Sequence, residues 1–390
     1  MNNCIPDSEY FERVKRLQKA MAEMDLDAVL CYANACTYQN VRYLSNYWPL
    51  FETGGVLIPR EGPPKVLIGG EAPGFAARTA FGLENVRVCA DFGHAHGIPR
   101  WVGVRYYDFR ELFEECTNGK GVRRLGISDY SITPVAMYEH LKEAILPGGE
   151  ILRVEMMLLD LRMNKSQHEI AMIREGCRIN ELVFEDLLNN VHPDMTEVEA
   201  EGLISASIYQ HGGEGANFPV FVFAGEHSKN AMGRNTHEKL GKNRMIYVNF
   251  GTQFGGYGSS YGRPFLFGKM TSEMKKHLDF MYDLHKRVLY EWARPGVLSG
   301  DVYDKFCSWF EDHGYGLPPA SASHGIGVFE GEPPTFRKDM KYVLKPGMTI
   351  SGDHYFRTEE YGFRIEDVYL IGEHENEVFT TSHWNEYLEL

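Results

Sequence analysis

Residues 248–268 read VNFGTQFGGYGSSYGRPFLFG, and this glycine-rich stretch decides the fold of the second half of the chain. The pattern predicts two paired strands, because apolar runs stand at both ends and glycines cluster between them. It does not fit a phosphate-binding loop, since no Gly-Lys-Ser/Thr follows and strand is predicted on both flanks. Glycine at these positions indicates a bulge and a close approach of backbones.

Two long helices are predicted before this strand pair, and each begins at a capping box. Ser166 with Glu169 marks the first start, and Thr196 with Glu199 marks the second, because the two side chains of such a pair satisfy each other's backbone N–H groups. A strand lies between these helices and the glycine-rich pair. Two further helices within 272–312 and strands near the C-terminus complete this half.

The first half of the chain alternates helices and strands. Apolar residues recur at helical intervals over residues 8–24, and DAVLCYA (27–33) then has the composition of a strand. Residues 54–70, GGVLIPREGPPKVLIGG, predict two strands joined by a turn. Thr133 and Pro134 predict the N-cap and first turn of a later helix.

The length of the chain predicts two domains. At 390 residues it exceeds the size at which a single hydrophobic core usually stops growing. We place the boundary near residue 158, where the alternation of short elements gives way to the long capped helix. The expected fold class is α/β (α+β), with a smaller domain at 1–158 and a larger one at 159–390.

The net charge and the cysteines limit which binding partners and which cellular compartment we expect. The net charge of -14 disfavours nucleic acid, because the surface repels polyanions. The seven cysteines are scattered and include no Cys-x-x-Cys pair, which favours reduced thiols in a cytoplasm. The N-terminus lacks the apolar stretch of a signal peptide, and no run approaches the length of a membrane span. We therefore expect a cytoplasmic protein that binds neither nucleic acid nor membrane.

Five motifs in a fixed order carry a family resemblance. They are LRMNKSQHEIAMIREG (161–176), the glycine-rich stretch (248–268), SHGIGVFEGEPPTF (323–336), LKPGMTISGDHYF (344–356) and GFRIEDVYLI (362–371). In this order they resemble the superfamily of methionine aminopeptidase, aminopeptidase P, prolidase and creatinase. The resemblance implies a creatinase/prolidase-type N-terminal domain at 1–158 and a pita-bread catalytic domain at 159–390.

The same resemblance implies positions for metal ligands. Metal-dependent members bind two ions through two Asp, one His and two Glu, and the matching positions here are Asn249, Ser260, His324, Asp353 and Glu366. Two neighbouring divalent ions need anionic oxygens to offset their repulsion, and Asn249 and Ser260 are neutral. We therefore expect no metal cofactor, with a single divalent ion at the remaining three residues as the alternative.

Two substrate-side histidines of the metal-dependent relatives are also missing, and Met232 and Gly331 stand at their positions. Creatinase, a metal-free relative, uses a histidine at the first of them, so its mechanism does not transfer directly. His227 and His237 are near in sequence. Each either turns into the site or lies on the solvated surface, and we favour the surface.

The remaining side chains favour a creatinase-like, metal-independent hydrolase or lyase acting on a C–N bond of a small cationic or zwitterionic compound. His324 is expected to be the general acid and base, since imidazole suits proton transfer near neutral pH. Glu366 and Asp353 are expected to bind the substrate cation or to orient a water molecule. Asn249 and Ser260 are expected to hold polar atoms of the substrate.

Four further substrate-binding candidates each have a structural alternative. Arg364 either meets a substrate carboxylate or pairs with a neighbouring acid, and Tyr257 either lines the cavity or packs in its strand. By resemblance to creatinase we expect a homodimer, with Trp48 and Phe51 near the partner subunit's cavity; local packing is the alternative for both residues.

Two other functions stay open from the sequence. One is a metal-dependent Xaa-Pro aminopeptidase or dipeptidase with a reduced metal site. The other is a non-catalytic protein that kept the cavity to bind a small molecule. Metal analysis with a proline-dipeptide assay separates the first from a metal-independent hydrolase, and ligand screening followed by turnover assays identifies the second.

Overall fold

The computed structural model describes residues 5–50, 52–71, 73–80, 85–93, 101–318 and 323–390. The described chain divides into two compact units, residues 5–162 and residues 163–390. Both units combine helices with a β-sheet, so the prediction of two α/β domains is confirmed. No helix in these described ranges is both long enough and apolar enough to cross a membrane.

The N-terminal unit is built on a mixed sheet. Its strands are β1 (Ala28–Ala33), β2 (Gly54–Pro59), β3 (Lys65–Ile68), β4 (Val86–Val88), β5 (Arg124–Ile127) and β6 (Glu150–Arg153). Its helices are α1 (Asp7–Glu23), α2 (Gln39–Ser45), α3 (Pro73–Thr79), α4 (Phe109–Cys116), α5 (Val135–Ala144) and α6 (Glu155–Met163). The strand order is β4-β3-β2-β1-β5-β6, with β1 antiparallel to β2 and parallel to β5.

Apolar side chains of β1 and β5 pack with those of α4 and α5 in the core of this unit. Helix α4 begins at a complete capping box of Asp108 and Glu111. Helix α5 differs from the prediction, because Pro134 is its N-cap and provides no side-chain cap. The Thr133 hydroxyl instead donates to the backbone oxygen of Asp129, 2.9 Å away.

The C-terminal unit contains the larger sheet. Its helices are α7 (Gln167–Asn190), α8 (Glu197–Gln210), α9 (Ser272–Arg287) and α10 (Ser299–Asp312). Its strands are β7 (Gly215–Ala216), β8 (Phe221–Ala224), β9 (Ile246–Phe250), β10 (Thr252–Phe254), β11 (Tyr257–Gly258), β12 (Tyr261–Phe265), β13 (His324–Gly325), β14 (Glu332–Thr335), β15 (Thr349–Arg357), β16 (Gly362–Leu370) and β17 (Glu377–Val378).

The main sheet of this unit is antiparallel, in the order β14-β13-β15-β16-β12-β9-β8, and β17 pairs with β16. Helices α7 and α8 pack on the β8, β9 and β12 part of the sheet. Helices α9 and α10 pack on the β15 and β16 part. Helices α7 and α8 begin at the predicted capping boxes, with both reciprocal hydrogen bonds present in each. Side chains that alternate away from these helices are therefore directed to the opposite face of the sheet.

Candidate active site

One row of residues crosses four neighbouring strands on that opposite face. Asn249 of β9 pairs with Gly262 of β12, Gly262 pairs with Glu366 of β16, and Glu366 pairs with Asp353 of β15. Neighbours in sequence, such as Val248 and Ile365, belong to the apolar core beneath the helices. Strand alternation thus brings three polar side chains, from positions up to 117 residues apart, into one line.

Gly262 makes the middle of this row possible. A Cβ atom there would lie 3.0 Å from Glu366 Cβ and 3.3 Å from Asn249 Nδ2. Because glycine leaves this space open, Asn249 Nδ2 donates across β12 to Glu366 Oε2. Ser351 Oγ donates to the other carboxylate oxygen, Oε1, at 2.6 Å. The Glu366 carboxylate is therefore held at both oxygens by neutral donors.

His324 enters the site from β13, which pairs with β15. Its Nδ1 lies 3.0 Å from the backbone oxygen of Gly325. Because a carbonyl oxygen only accepts, Nδ1 carries the proton, and Nε2 has the free lone pair in the neutral ring. This tautomer is the one that presents Nε2 as a ligand.

Three of these side chains could hold one metal ion. Ligand atoms of His324, Asp353 and Glu366 all lie within 4.8 Å of one another. Asp353 Oδ1 is buried and accepts no hydrogen bond from the described residues, although Arg364 Nε approaches it to 3.2 Å. One imidazole and two carboxylates are a common ligand set for a divalent ion with an open position. The residues present therefore fit a single ion.

A second ion does not fit the residues present. Asn249 is neutral and buried, and its amide oxygen accepts from Arg364 Nη1 at 2.7 Å while its amide nitrogen donates to Glu366. Ser260 is also neutral, and its hydroxyl donates to Glu330. Neither residue supplies the negative charge that a pair of adjacent divalent ions requires.

Arg364 makes its contacts inside the protein. Besides Asn249 and Asp353, it reaches the backbone oxygen of Ala231, which accepts from Nη2 at 2.9 Å. The neighbouring-acid alternative for Arg364 corresponds to this geometry, whereas contact with a substrate carboxylate stays a prediction. The guanidinium provides a fixed positive charge next to Asn249.

Glu330 is a site residue that the sequence analysis missed. It lies between β13 and β14, and its side chain is 21% exposed. Its carboxylate accepts from Ser260 Oγ at 3.0 Å and from Asn217 Nδ2 at 2.9 Å, and it lies 3.5 Å from His324 Nε2. The family resemblance implies roles only for positions that match the family's ligand positions, and position 330 is not one of them. The available signal was an acid six residues after His324 in a chain missing two other carboxylates.

Burial and mutual repulsion shape the electrostatics of the site. Burial, and then the neighbouring Asp353, raises the pKa of Glu366. Burial also raises the pKa of Glu330, against the opposing effect of His324. Burial alone would lower the pKa of His324, but the nearby carboxylates, Glu330 first, outweigh it and raise the pKa. Buried carboxyl groups that hold protons this firmly are also groups that a cation would stabilise in the ionised form.

His324, Glu330 and Asp353 line a cavity of about 350 Å³ in the C-terminal unit, and Glu366 is buried and is not one of its lining residues. The residues that line it are Phe218, Pro219, Phe221, Met232, Gly233, Arg234, Asn249, His324, Glu330, Asp353 and Arg364. The lining combines apolar side chains with charged groups. The arrangement suits a small ligand with one apolar part and several polar atoms.

Several predicted residues lie elsewhere. Tyr257 is buried and donates to Glu169 Oε1 at 3.0 Å, and it does not line the cavity. His227 is held by Glu197 through Nδ1 at 2.7 Å, and His237 is exposed.

Two further candidates belong to the N-terminal half. Trp48 packs against Tyr38 with ring centroids 5.0 Å apart and receives the guanidinium of Arg42 on its ring. Phe51 lies outside the described residues. The homodimer and the role of Trp48 in a partner's site stay predictions.

Comparison with known proteins identifies the family. Residues 171–373 match metallopeptidase family M24, and residues 13–164 match the creatinase/prolidase N-terminal domain. An Xaa-Pro dipeptidase from Pyrococcus horikoshii is 24% identical over 367 residues, 92% of this chain and 94% of that protein. A creatinase from Bacillus sp. is 23% identical over 393 residues, 95% of this chain and 90% of that protein.

A solved structure shows the same fold. The Xaa-Pro dipeptidase from Bacillus anthracis superposes with a TM-score of 0.82 at 22% identity, covering 98% of this chain and all of that one. The expected creatinase/prolidase architecture and an enzyme that hydrolyses C–N bonds are confirmed at the level of the family.

The expectation of no cofactor was wrong. It rested on the neutral side chains of Asn249 and Ser260 and gave too little weight to what remained, a compact group of His324, Asp353 and Glu366 in a metallopeptidase domain. One ion needs fewer anionic ligands than two, so losing part of the ligand set does not remove the metal requirement. This chain belongs to metallopeptidase family M24 and carries the creatinase/prolidase N-terminal domain.

Proposed function

We propose that this protein is a metal-dependent hydrolase of Xaa-Pro dipeptides that works with one divalent ion, held by His324, Asp353 and Glu366. The observation that carries the proposal is that ligand atoms of these three residues lie within 4.8 Å of one another in an M24 domain. The Xaa-Pro dipeptidases that the chain resembles over nine-tenths of its length support the substrate class.

A divalent ion bound by these residues would polarise the scissile carbonyl and lower the pKa of a bound water. The surrounding protein groups hold the ligand side chains in a fixed orientation. Ser351 and Asn249 hold Glu366 by both oxygens, which keeps the carboxylate in one orientation. The backbone oxygen of Gly325 keeps the His324 ring in the tautomer that offers Nε2.

The apolar part of the lining suits a proline ring. Phe218, Pro219, Phe221 and Met232 line the same cavity as the acidic groups, and Phe221 of β8 pairs with Asn249 of β9. A pyrrolidine ring placed there would lose contact with water and pack against aromatic and thioether surfaces. A preference for proline in the second position of the dipeptide follows from that contact.

Arg234 is the proposed receptor for the substrate's carboxylate. It lines the cavity, is exposed, and has no carboxylate partner within the described part of the chain. Arg364, the earlier candidate, already contacts Asn249, Asp353 and a backbone oxygen. A guanidinium with unused donors binds a carboxylate through two parallel hydrogen bonds.

The test combines metal analysis with a proline-release assay on the full chain. We expect one divalent ion per chain, hydrolysis of Xaa-Pro dipeptides, loss of activity after chelation, and recovery on adding Mn²⁺, Co²⁺ or Zn²⁺. Hydrolysis that persists in fully chelated protein would refute the metal requirement. A chain that holds one ion and releases no proline would refute the substrate class.

A further inference from the structure

Glu330 stands beside the metal group although the sequence resemblance gives it no role. Two neutral donors hold its carboxylate in place, Ser260 Oγ at 3.0 Å and Asn217 Nδ2 at 2.9 Å, both on Oε2. Ser260 is the position at which the metal-dependent relatives carry an aspartate. The hydroxyl that replaced that aspartate therefore now positions another carboxylate.

We propose that Glu330 is a fourth metal ligand, which supplies from the loop between β13 and β14 the carboxylate that is missing at position 260. The residues whose ligand atoms all lie within 4.8 Å of one another are His324, Asp353 and Glu366, so the Glu330 carboxylate, now close to His324, would have to shift toward the ion to complete a one-ion site. The inference rests on the metal requirement of the proposed function and adds a ligand that the relatives' pattern does not contain.

The distance between two candidate ligand atoms supports this role. Glu330 Oε1 lies 3.5 Å from His324 Nε2. Ligand atoms that bind one ion tetrahedrally at about 2.1 Å lie about 3.4 Å apart. The Nδ1 proton of His324 is used by Gly325, so a neutral ring presents a lone pair toward Glu330. Two lone pairs at this separation need a proton or a metal cation between them, and the proposed ion would take the place of the proton.

Charge balance points the same way. The charged groups around the ligand atoms are three carboxylates, Glu330, Asp353 and Glu366, and one permanent cation, Arg364; the exposed Arg234 also lines the cavity but is left for the substrate's carboxylate. Fully ionised, this set has two negative charges more than positive ones, which one divalent ion neutralises. Metal bound at Nε2 would also prevent His324 from being protonated, so Glu330 would lose its imidazolium neighbour and would need the ion as its partner.

The position of Glu330 also explains how a loop residue can act as a ligand. Loop carboxylates usually have many rotamers, and fixing one costs conformational entropy. Here Ser260 and Asn217 already hold the head group next to His324 before any ion arrives. Gly331, directly after Glu330, would meet no atom of the described residues within 4 Å if it carried a Cβ, so this part of the loop has room to adjust.

The test is metal affinity, measured on the metal-free full chain by titration calorimetry with Zn²⁺ in competition with a chelator. E330Q keeps the shape of the side chain and an acceptor for Ser260, so circular dichroism and thermal melting of the metal-free chain should match wild type. We expect E330Q to bind Zn²⁺ at least about tenfold more weakly. The double variant E330Q/S260D should regain most of that affinity, because the introduced aspartate returns a carboxylate to the strand.

Co²⁺ gives an independent measurement, because its visible absorption reports the number and type of ligands. The Co²⁺ spectrum of E330Q should differ from that of wild type. Unchanged Zn²⁺ affinity or an unchanged Co²⁺ spectrum in E330Q would overturn the ligand role, and so would an affinity loss that S260D does not repair. A wild-type chain that binds no metal would instead overturn the proposed function, so the two failures are distinguishable.

Discussion

The two sides of the cavity come from one sheet but differ in charge. The acidic side, formed by His324, Asp353 and Glu366 on β13, β15 and β16, offers ligand atoms within 4.8 Å of one another. The neutral side, formed by Asn249 on β9 and Ser260 just before β12, offers an amide and a hydroxyl that are already hydrogen-bonded. One sheet thus presents ligand atoms for one ion on one side and neutral, already hydrogen-bonded groups on the other.

Hydrogen bonds of Asn249 and Ser260 organise the neutral side. Asn249 joins Arg364 to Glu366, and Ser260 joins β12 to Glu330. Removing a buried carboxylate leaves donors and acceptors nearby that must find new partners, since an unsatisfied buried polar group costs about 1–3 kcal/mol. Both substitutions satisfy these groups while removing negative charge.

The largest expected effect comes from breaking the acidic side. H324A removes the only nitrogen ligand of the proposed site, and we expect proline release to fall at least about 1000-fold, since even changes to an outer partner of a ligand cost about 10- to 100-fold. The measurement is initial-rate hydrolysis at saturating metal. H237A, an exposed histidine outside the cavity, is the matched control and should behave as wild type. Activity in H324A close to that of the control would refute the assignment of this side.

Restoring charge on the neutral side should be the next largest effect. In N249D/S260D the metal-free chain would place extra carboxylates beside Glu366 and Glu330, and we expect its free energy of unfolding to drop by about 3 kcal/mol. Adding excess metal should restore stability and raise the metal content from one ion to two. Urea unfolding with and without metal, together with elemental analysis, measures both. A metal content that stays at one would show that more than charge limits the neutral side.

Removing the proposed carboxylate receptor should have a moderate effect. R234M takes away an exposed guanidinium that lines the cavity while keeping much of the side-chain volume. We expect KM for Xaa-Pro dipeptides to rise about tenfold to a hundredfold, the usual range for a lost hydrogen bond to a charged group. kcat should change less, and an amidated dipeptide should be hydrolysed equally by both proteins. Equal KM values for the free dipeptide would refute the role of Arg234.

The smallest expected effect concerns the layer behind the acidic side. His285 is buried between Asp367 and His354, with Nε2 2.9 Å from Asp367 Oδ2. Burial lowers its pKa below the ordinary histidine value of about 6.5, even though Asp367 opposes this shift. A folded-state pKa below the unfolded one gives stability that is complete above about pH 6.5 and is lost as the pH falls further.

We therefore expect the free energy of unfolding to fall by about 1 kcal/mol on acidification from about pH 7.5 to about pH 5.5 because of His285. The measurement is urea unfolding across this range for wild type and H285Q, whose pH dependence should be shallower. H237Q provides the control at an exposed site. A slope in H285Q as steep as in wild type would remove His285 as the cause.

Local signals in the sequence predicted much of the fold. Capping boxes at Ser166 and Thr196 are interactions within four residues, so they depend little on the rest of the molecule. The Thr133 cap was wrong, because Asp129 offers its hydroxyl an acceptor that the local pattern does not reveal. A helix cap predicted from residues close in sequence therefore forms where no other hydrogen-bond partner competes for the capping side chain.

The sequence by itself determined the order of the elements and which residue types occupy the ligand positions, because periodicity, capping and motif order are all written along the chain. Tertiary structure decided that Asn249 reaches Glu366 across the space left by Gly262, and that Glu330 is held at Ser260. These contacts join residues 70 to 117 positions apart. Strand pairing and loop closure bring them together. The residue pattern within a single helix or strand does not specify such contacts.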